Sequence, residues 1–341
     1  MKQPAKTQPP VVLAGIDVGA DELVIALQRD GQAEPSHPLP NTPAGHRALI
    51  RLLTRRGAAA RVCLEATGVY SLRLSLALHA AARVEVMVVN PRATKDFQRA
   101  RLTRAKTDRV DALGILEFLL RMEFVPWTPP ADAVLALQQL GRRLVQLRGE
   151  LTREQARLHA IAYTPDRDGL IAADLRANIR HLGKRIAALH HAALDLAKKD
   201  TVLAPQIERL CTVPGIGKLS ALRLLGELLV LPPDLKAPQW VAHAGLDPRP
   251  RQSGQSDAPR HISRTGNRHL RLALFMPALV AIRRSPHIKA TYEALLARGK
   301  KKKVAIIAIM RRMLHALWGM FRHQQDFNPQ RFHPLPSPSD A

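Results

Sequence analysis

Four acidic residues of this 341-residue chain stand at positions where carboxylates often do chemistry. Asp17 and Glu65 each end an apolar run that predicts a buried strand. Ligand sites in open α/β sheets collect at the carboxyl ends of strands, so these two side chains can face one another. Asp108 and Asp111 are three residues apart, which places both on one face of a helix. All four are therefore candidates for one shared site.

Such a site would suit a divalent metal. Carboxylate oxygens are hard ligands that Mg²⁺ or Mn²⁺ prefers, and a cation would relieve the repulsion between Asp108 and Asp111. Two ions about 3.5–4 Å apart can stabilise both the attacking and the leaving oxygen of a phosphoryl displacement. Taken singly, Asp17 could be a turn former, Glu65 a helix cap and Asp108 an N-cap. The metal hypothesis requires all four to converge.

The overall charge indicates a polyanionic partner. Lys and Arg number 52 against 28 Asp and Glu, a net charge of +24, and the pI is about 11.2, which favours nucleic acid. A hydrophobic fraction of 46% excludes a disordered polycation. Two cysteines, Cys63 and Cys211, provide neither a disulfide framework nor a zinc cluster. Residues 1–10 lack the apolar segment of a signal peptide, and no apolar run is long enough to predict a membrane span. We expect a cytoplasmic, nucleoid-associated protein with no membrane partner.

The elements that would position the carboxylates form an α/β domain over residues 11–130. Strands alternate with helices there, which predicts a largely parallel central sheet. A tight turn at Gly19 joins the first two strands. The predicted strands are an apolar run from Val11, then 23–28, 61–65 and 84–90, and the predicted helices are 45–56 and one that opens near 68–70.

A change of character after 126–130 marks a domain boundary, and residues 131–204 then carry apolar residues at coiled-coil spacing. This pattern predicts a long antiparallel helical hairpin. Its Arg and His residues form either a solvated face or a nucleic-acid contact. The repeating positions are Leu140, Leu144, Leu147 and Leu151, then Leu175, Ile179, Leu182, Ile186 and Leu189.

Residues 205–325 are predicted to form a mostly helical C-terminal domain. Gly215 and Gly217 allow a tight turn before a helix that starts at Lys218, a pattern similar to a helix-hairpin-helix motif. Its backbone amides could bind a DNA phosphate, although a plain helix–helix turn has the same glycines. The segments 1–10 and 326–341 are predicted to be disordered tails.

The sequence resembles the DEDD transposases of bacterial insertion sequences, which are related to Piv-type DNA invertases. The resemblance runs from Val11 to about Phe321 and depends on many motifs in the same order. It implies a RuvC-like, RNase-H-type N-terminal domain that holds divalent metal through the four carboxylates, and a separate C-terminal transposase domain. The motifs lie at 15–17, 65–68 and 106–112, and then at 214–217, 244–249, 252–254 and 262–267.

The resemblance also implies that a serine, here Ser253, is the nucleophile that attacks DNA. Ser256 is the competing candidate, and a turn-forming serine is the alternative role. Gln252 stands where some relatives carry an acidic residue, which leaves the details of the loop open. The arginines expected to bind nucleic acid are Arg249, Arg251, Arg260, Arg264 and Arg268.

Some members of that family choose their DNA through a structured RNA encoded by the element, and we expect this chain to do so as a dimer or tetramer. The hairpin would then join protomers, and that arrangement allows the two catalytic parts to come from different subunits. Three rival functions remain: a protein-guided Piv-type invertase, a metal-only nuclease for branched DNA with Ser253 idle, and a non-catalytic packaging protein. The acidic quartet argues against packaging, because clustered carboxylates weaken polyanion binding.

Overall fold

The computed structural model describes residues 12–101, 107–166, 169–249, 252–253, 256–257 and 261–332. The predicted tail 1–10 lies outside the described residues, as does 333–341. The chain divides into two compact units, a first unit, Met1–Pro129, and a second unit, Pro130–Ala341. The helical hairpin and the helices after Pro205 both belong to the second unit.

The first unit contains a five-stranded sheet in the order β3-β2-β1-β4-β5. The predicted largely parallel sheet is wrong: β1 pairs with β2 and β2 with β3 antiparallel, while β1–β4 and β4–β5 are parallel. The sheet is mixed because the tight turn after β1 returns the chain beside it, and β3 continues that meander. The strands are β1 Val12–Val18, β2 Glu22–Arg29, β3 Gln32–Pro40, β4 Ala60–Glu65 and β5 Val84–Val89.

Helices cover both faces of this sheet, so the first unit is a layered α/β domain. One face packs on α1 and α2 through leucines such as Leu49 and Leu74. The other face packs on α4, where Ile115 and Phe118 contact Cys63 of β4 and its neighbours. The helices are α1 Pro43–Leu53, α2 Leu72–His79, α3 Pro91–Ala100 and α4 Asp108–Arg121.

The second unit begins with two helices of 30 residues, α5 Asp132–Ile161 and α6 Leu170–Lys199. Each is about 45 Å long at 1.5 Å per residue. The two helices pack against each other through a small apolar cluster that contains Leu144, Leu147, Leu182 and Ile186. The predicted helical hairpin is present, and its coiled-coil packing stays a prediction.

The remaining helices of the second unit surround a large apolar core to which α8, α10 and α12 contribute heavily. Residues 329–332, expected to belong to a disordered tail that begins at 326, form a short helix instead and bury Phe332. The helices are α7 Leu203–Cys211, α8 Lys218–Leu228, α9 Ala237–His243, α10 Arg268–Arg284, α11 Pro286–Ala297, α12 Lys302–His323 and α13 Pro329–Phe332. Four two-residue strands lie between α9 and α10: β6 Pro248–Arg249, β7 Gln252–Ser253, β8 Ser256–Asp257 and β9 His261–Ile262.

Among the described residues, one helix, α12, is long and apolar enough to cross a membrane. No apolar run of that length was expected from the sequence. The best 18-residue window of α12 has a mean hydropathy of 1.4. Seven of its residues, including Ile309 and Leu317, are buried. Burial in the core explains its apolar composition, so the helix is weak evidence for a membrane span.

Candidate functional site

Asp17 and Glu65 leave the sheet at the same edge. Strands β1 and β4 are parallel neighbours in which Ile16 pairs with Leu64. Asp17 and Glu65 are the next residue along each strand, so their backbones are adjacent. Both residues are partly exposed. The two predicted strand ends are therefore neighbours at the same end of the sheet.

Helix α4 brings the second pair of carboxylates to this edge because its backbone packs directly on β1. A Cβ atom added to Gly15 would lie 2.2 Å from the backbone nitrogen of Leu116 and 2.6 Å from the carbonyl oxygen of Ala112. Only glycine permits that approach. Asp111 lies one residue before Ala112, in the first turn of α4, and its charge raises the pKa of Asp17.

The N-terminus of α4 is capped by Thr107 rather than by Asp108. The Thr107 hydroxyl accepts a hydrogen bond from the Val110 amide at 3.3 Å, and its carbonyl accepts from the Asp111 amide at 2.9 Å. Asp108 is thus the first helical residue, exposed, with its carboxylate free of the capping role. The alternative reading of Asp108 as a structural N-cap is wrong.

Asp17 lies within electrostatic range of the other three carboxylates. Burial first, and then the charges of Asp111, Glu65 and Asp108 in that order of effect, together raise the pKa of Asp17 from its ordinary 3.8 to about 6. Burial also raises the pKa of Glu65, and Asp111 adds to this. Four acidic groups thus repel one another at one edge of the sheet.

Two residues that the sequence did not indicate support this edge. Thr94 of α3 is fully buried, and its hydroxyl donates a short hydrogen bond to Oε1 of Glu65, which opposes the rise in that pKa. Asn41 joins the loops that follow β1 and β4, because its Nδ2 donates to the carbonyls of Gly19 at 2.8 Å and Tyr70 at 3.3 Å. Sequence carries no signal for either contact, since the partners are 22 to 29 residues apart.

The donor set fits a divalent metal by its chemistry. Four carboxylates that repel one another are the ligands that a hard cation such as Mg²⁺ draws together. Within the described ranges, no group of three or more His, Cys, Asp and Glu side chains is already close enough to hold an ion. Binding would therefore require these side chains to turn toward a shared ion.

We expect Asp17→Asn to raise the stability of the metal-free protein near neutral pH. A raised folded-state pKa means that the stability contributed by Asp17 is present below pH 3.8 and is lost as the pH rises through about 6. Because Asp17 is partly exposed, we discount the effect to about 1–2 kcal/mol. Thermal unfolding at about pH 7.5 should show a melting temperature about 3–6 °C higher, and the gain should vanish near pH 4.

The control for this change is Asp96→Asn, which removes an exposed carboxylate of α3 that pairs with Arg92. It should leave the melting temperature nearly unchanged. Added Mg²⁺ should stabilise the wild type more than Asp17→Asn, because binding to the folded state raises its stability. An unchanged or lower melting temperature for Asp17→Asn at neutral pH would contradict the crowding of the carboxylates.

In the second unit, Ser253 lies on a short β-ribbon. Strand β7 pairs with β8, and Ser253 lies opposite Ser256. Strands β6 and β9, which flank this pair in sequence, pair with each other and form the base of the ribbon. The backbone of Ser253 is described, and Arg251 and Arg260 lie outside the described residues. The predicted loop is therefore partly strand.

Three of the predicted arginines are exposed around the base of this ribbon. Arg249 lies on β6 and donates from Nη2 to the Thr265 hydroxyl at 3.2 Å, and Arg268 is the first residue of α10. Arg264 and Arg268 lower the pKa of the neighbouring Arg271, after the larger effect of its burial. The ribbon base is thus a cationic surface suited to a phosphate.

The two glycines of the predicted phosphate-binding turn have different surroundings. A Cβ atom on Gly215 would lie 2.4 Å from the carbonyl oxygen of Pro277 in α10, and its φ is +88°. Gly215 is therefore required for packing against α10, and its contact with a phosphate stays a prediction. Gly217 has no atom within 4 Å of its added Cβ, and it precedes the exposed Lys218 at the start of α8.

Comparison with known proteins assigns the class. Residues 14–162 match a family model described as "Transposase", and residues 207–293 match the model "Transposase IS116/IS110/IS902 family". The pilin gene-inverting protein of Moraxella lacunata is 32% identical over 283 residues, which cover 79% of this chain and 82% of that protein. The putative transposase y4rJ of Sinorhizobium fredii is 27% identical over 288 residues, with 70% and 71% covered.

These matches are to transposases and to a gene-inverting protein, and they extend through both units. The chain belongs to the IS116/IS110/IS902 family of transposases, as its motifs indicated. A solved structure of T. thermophilus RuvC in complex with Holliday junction substrate aligns with 33% of this chain and 96% of its own. Its sequence identity is 18% and its TM-score 0.26, so no conclusion depends on it.

Proposed function

We propose that this transposase cuts and rejoins the DNA of an insertion sequence by metal-assisted attack of Ser253. The observation that carries the proposal is the grouping of Asp17, Glu65, Asp108 and Asp111 in a transposase-family chain, where burial and the three neighbouring charges raise the pKa of Asp17 to about 6. A strongly basic protein gains nothing for DNA affinity from such a cluster. Its use is to hold the cations that phosphoryl transfer needs.

In the proposed reaction, the four carboxylates have one role, and Ser253 with the nearby arginines has another. The four carboxylates would hold Mg²⁺ or Mn²⁺, which supplies stabilisation of the charge that develops on the phosphoryl oxygens. Thr94 keeps the Glu65 carboxylate oriented through its hydrogen bond. The RuvC-like character expected of the first unit belongs to this same proposal.

Ser253 supplies the attacking oxygen. Its Oγ forms a bond to the DNA phosphorus while the bond from phosphorus to the 3′-oxygen breaks, and the serine proton passes to the 3′-oxygen that leaves. A 5′-phosphoserine link and a free 3′-hydroxyl result. Attack of a 3′-hydroxyl on that link then releases Ser253 and joins the exchanged strand. The arginines at the ribbon base, including Arg249 and Arg268, bind the phosphate charge.

We further propose that a structured RNA encoded by the element guides this chemistry. The net charge of +24 exceeds what one short duplex requires. Aromatic residues are only 4% of the chain, so base stacking contributes little to recognition. A protein that binds backbones while RNA pairs with DNA has this composition. The working form would be a dimer or tetramer joined through the α5–α6 hairpin, on DNA in the bacterial cytoplasm.

A protein-guided DNA invertase is the second candidate function. It is favoured by the 32% identity to the pilin gene-inverting protein, whose name states that it inverts a gene. The same carboxylates and Ser253 would serve, without an RNA.

We expect protein purified from cells that carry the whole element to retain a discrete structured RNA through moderate salt. Complexes made only of nonspecific phosphate contacts weaken steeply as salt rises, so retention indicates a shaped, specific RNA. The measurement is sequencing of the co-purified RNA, followed by strand exchange between donor and target DNA with Mg²⁺ present.

The control is the same protein treated with RNase and then supplied with either the element RNA or an unrelated RNA of equal length. Exchange should stop after RNase and return only with the element RNA. Exchange at the native site by RNA-free protein would reject guidance and favour the invertase.

A further inference from the structure

A buried carboxylate in the second unit is fully occupied by hydrogen bonds. The side chain of Glu227 on α8 is 4% exposed. It accepts a two-point ion pair from Arg142 of α5, at 2.7 Å from Nε and 2.9 Å from Nη2. It also accepts from Nδ2 of Asn267 at 2.7 Å and from Nε2 of Gln138 at 3.3 Å. A buried charge persists only with such partners.

These partners keep Glu227 charged. Burial alone would raise the pKa of Glu227, but the hydrogen bonds from Arg142 and Asn267 outweigh burial and hold the pKa below its ordinary value. The carboxylate therefore acts as a permanent acceptor between α5, α8 and the segment that enters α10. It takes no part in the reaction proposed above.

Among the partners of Glu227, Asn267 is the one that adjoins the segment carrying Ser253. Its Oδ1 caps α10 by accepting from the amides of His269 at 2.9 Å and Leu270 at 3.2 Å. Its own amide donates to the carbonyl of His243 at 2.7 Å. Asn267 thus bonds to three elements at once, and Glu227 fixes the orientation of its amide group.

The segment that carries Ser253 begins and ends beside Asn267. It begins after α9, which ends at His243, and it ends at Asn267, the N-cap of α10. The contact between these two residues is tight, since a Cβ atom on Gly266 would lie 2.2 Å from the carbonyl oxygen of His243. Above it, the Arg264 amide donates to the Gly245 carbonyl at 3.1 Å and the Ser263 amide to the Asp247 carbonyl at 2.9 Å. The backbone ladder continues into the β6–β9 pair.

We propose that Glu227, acting through Asn267, is a positioning residue that sets the base of the ribbon and hence the placement of Ser253. The inference rests on the proposed nucleophilic role of Ser253. Arg142 holds Glu227 in place. Glu227 in turn fixes Asn267, which is hydrogen-bonded to His243 at the base of the ribbon. Small displacements of a nucleophile from its attack geometry reduce rate far more than they reduce binding.

The test uses the full chain with its co-purified RNA, Mg²⁺ and a nicked DNA duplex that traps a serine–DNA adduct. Asn267→Ser keeps an oxygen that can cap α10 and removes the donation to Glu227. It should slow adduct formation at saturating DNA by about 10–100-fold while the half-saturating DNA concentration changes little. Glu227→Gln should act similarly, and Asn267→Ser keeps the test valid if Glu227→Gln fails to fold.

Two comparisons separate positioning from general destabilisation. Phe332→Ala truncates a buried side chain of α13 that is remote in sequence from the ribbon, and it should lower the melting temperature without slowing the adduct rate at low temperature. The double variant Asn267→Ser, Glu227→Gln should be no slower than the slower single variant, because both changes remove one interaction.

The outcomes distinguish the two proposals. If the wild type traps DNA and Ser253→Ala does not, yet Asn267→Ser and Glu227→Gln trap at the wild-type rate, the positioning role is wrong and the serine chemistry stands. Equal slowing by Phe332→Ala also overturns the positioning role. Absence of any adduct in the wild type overturns the serine mechanism, and the positioning role with it.

Discussion

Ser253→Ala is expected to abolish covalent capture of DNA, with a loss of roughly 10³-fold or more in cleavage rate. Alanine has no oxygen with which to attack phosphorus, and no water-based route replaces it in the serine mechanism. A nicked suicide substrate loses the strand whose 3′-hydroxyl would reverse the link, so the wild type should accumulate as a protein–DNA adduct. Denaturing gel electrophoresis measures that adduct directly.

Ser256→Ala is the matched control, because Ser256 pairs with Ser253 across the β7–β8 ribbon. It should retain trapping. Trapping should also need Asp17, since a neutral hydroxyl is a poor nucleophile without a base or metal to activate it. A metal-only nuclease would activate water, leave no adduct and tolerate Ser253→Ala. Cleavage by Ser253→Ala at near the wild-type rate would therefore reject the serine mechanism.

Local sequence pattern predicted the strands that matter for the site and missed one that does not. Strands β1, β4 and β5 are apolar runs, and apolar runs of that length form buried strands. Strand β3 contains Pro35, Pro38 and Pro40 and almost no apolar alternation, so no pattern marked it. Proline is tolerated there because β3 pairs only with β2 at the sheet edge. This extra pair joins the antiparallel β1–β2 pair, so that antiparallel pairs equal the parallel ones in the sheet.

The carboxylate cluster was predictable because strand ends and helical spacing place those residues by local rules. Its supports were not, because Thr94 and Asn41 act through contacts that only tertiary packing creates. Gly215 has a role that the sequence did not indicate. A glycine-rich turn looks the same in sequence whether or not it also admits a neighbouring helix, and here Gly215 admits α10.

Glu227 is a residue whose burial the sequence indicated, although no role was predicted for it. It lies in α8 among buried residues such as Leu224, Leu225 and Leu228. A charged residue on the buried face of a helix requires a partner. The sequence could therefore have predicted a buried ion pair, but not that Arg142, 85 residues away, would provide it.

Asp108→Asn is expected to abolish strand exchange while DNA affinity stays equal or rises slightly. The side chain is exposed and makes no capping bond, since Thr107 caps α4, so the fold should tolerate the change. Loss of one carboxylate weakens the proposed metal site, whereas removal of a negative charge cannot weaken attraction to phosphates. We expect a decrease of roughly 10²–10³-fold or more in exchange rate, comparable to the removal of one charge-stabilising group. Exchange assays with Mg²⁺ and gel-shift titrations measure the two quantities separately.

Asp96→Asn changes the net charge by the same amount and serves as the control. Asp96 is exposed on α3 and pairs with Arg92 at 3.3 Å, and it is absent from the groups that raise the pKa of Asp17. Its neutralisation should leave exchange at the wild-type rate. Because both variants gain the same charge, a difference between them isolates the position of the carboxylate from its effect on the overall field. Wild-type exchange by Asp108→Asn with Mg²⁺ present would remove Asp108 from the metal site and with it the helical half of the cluster.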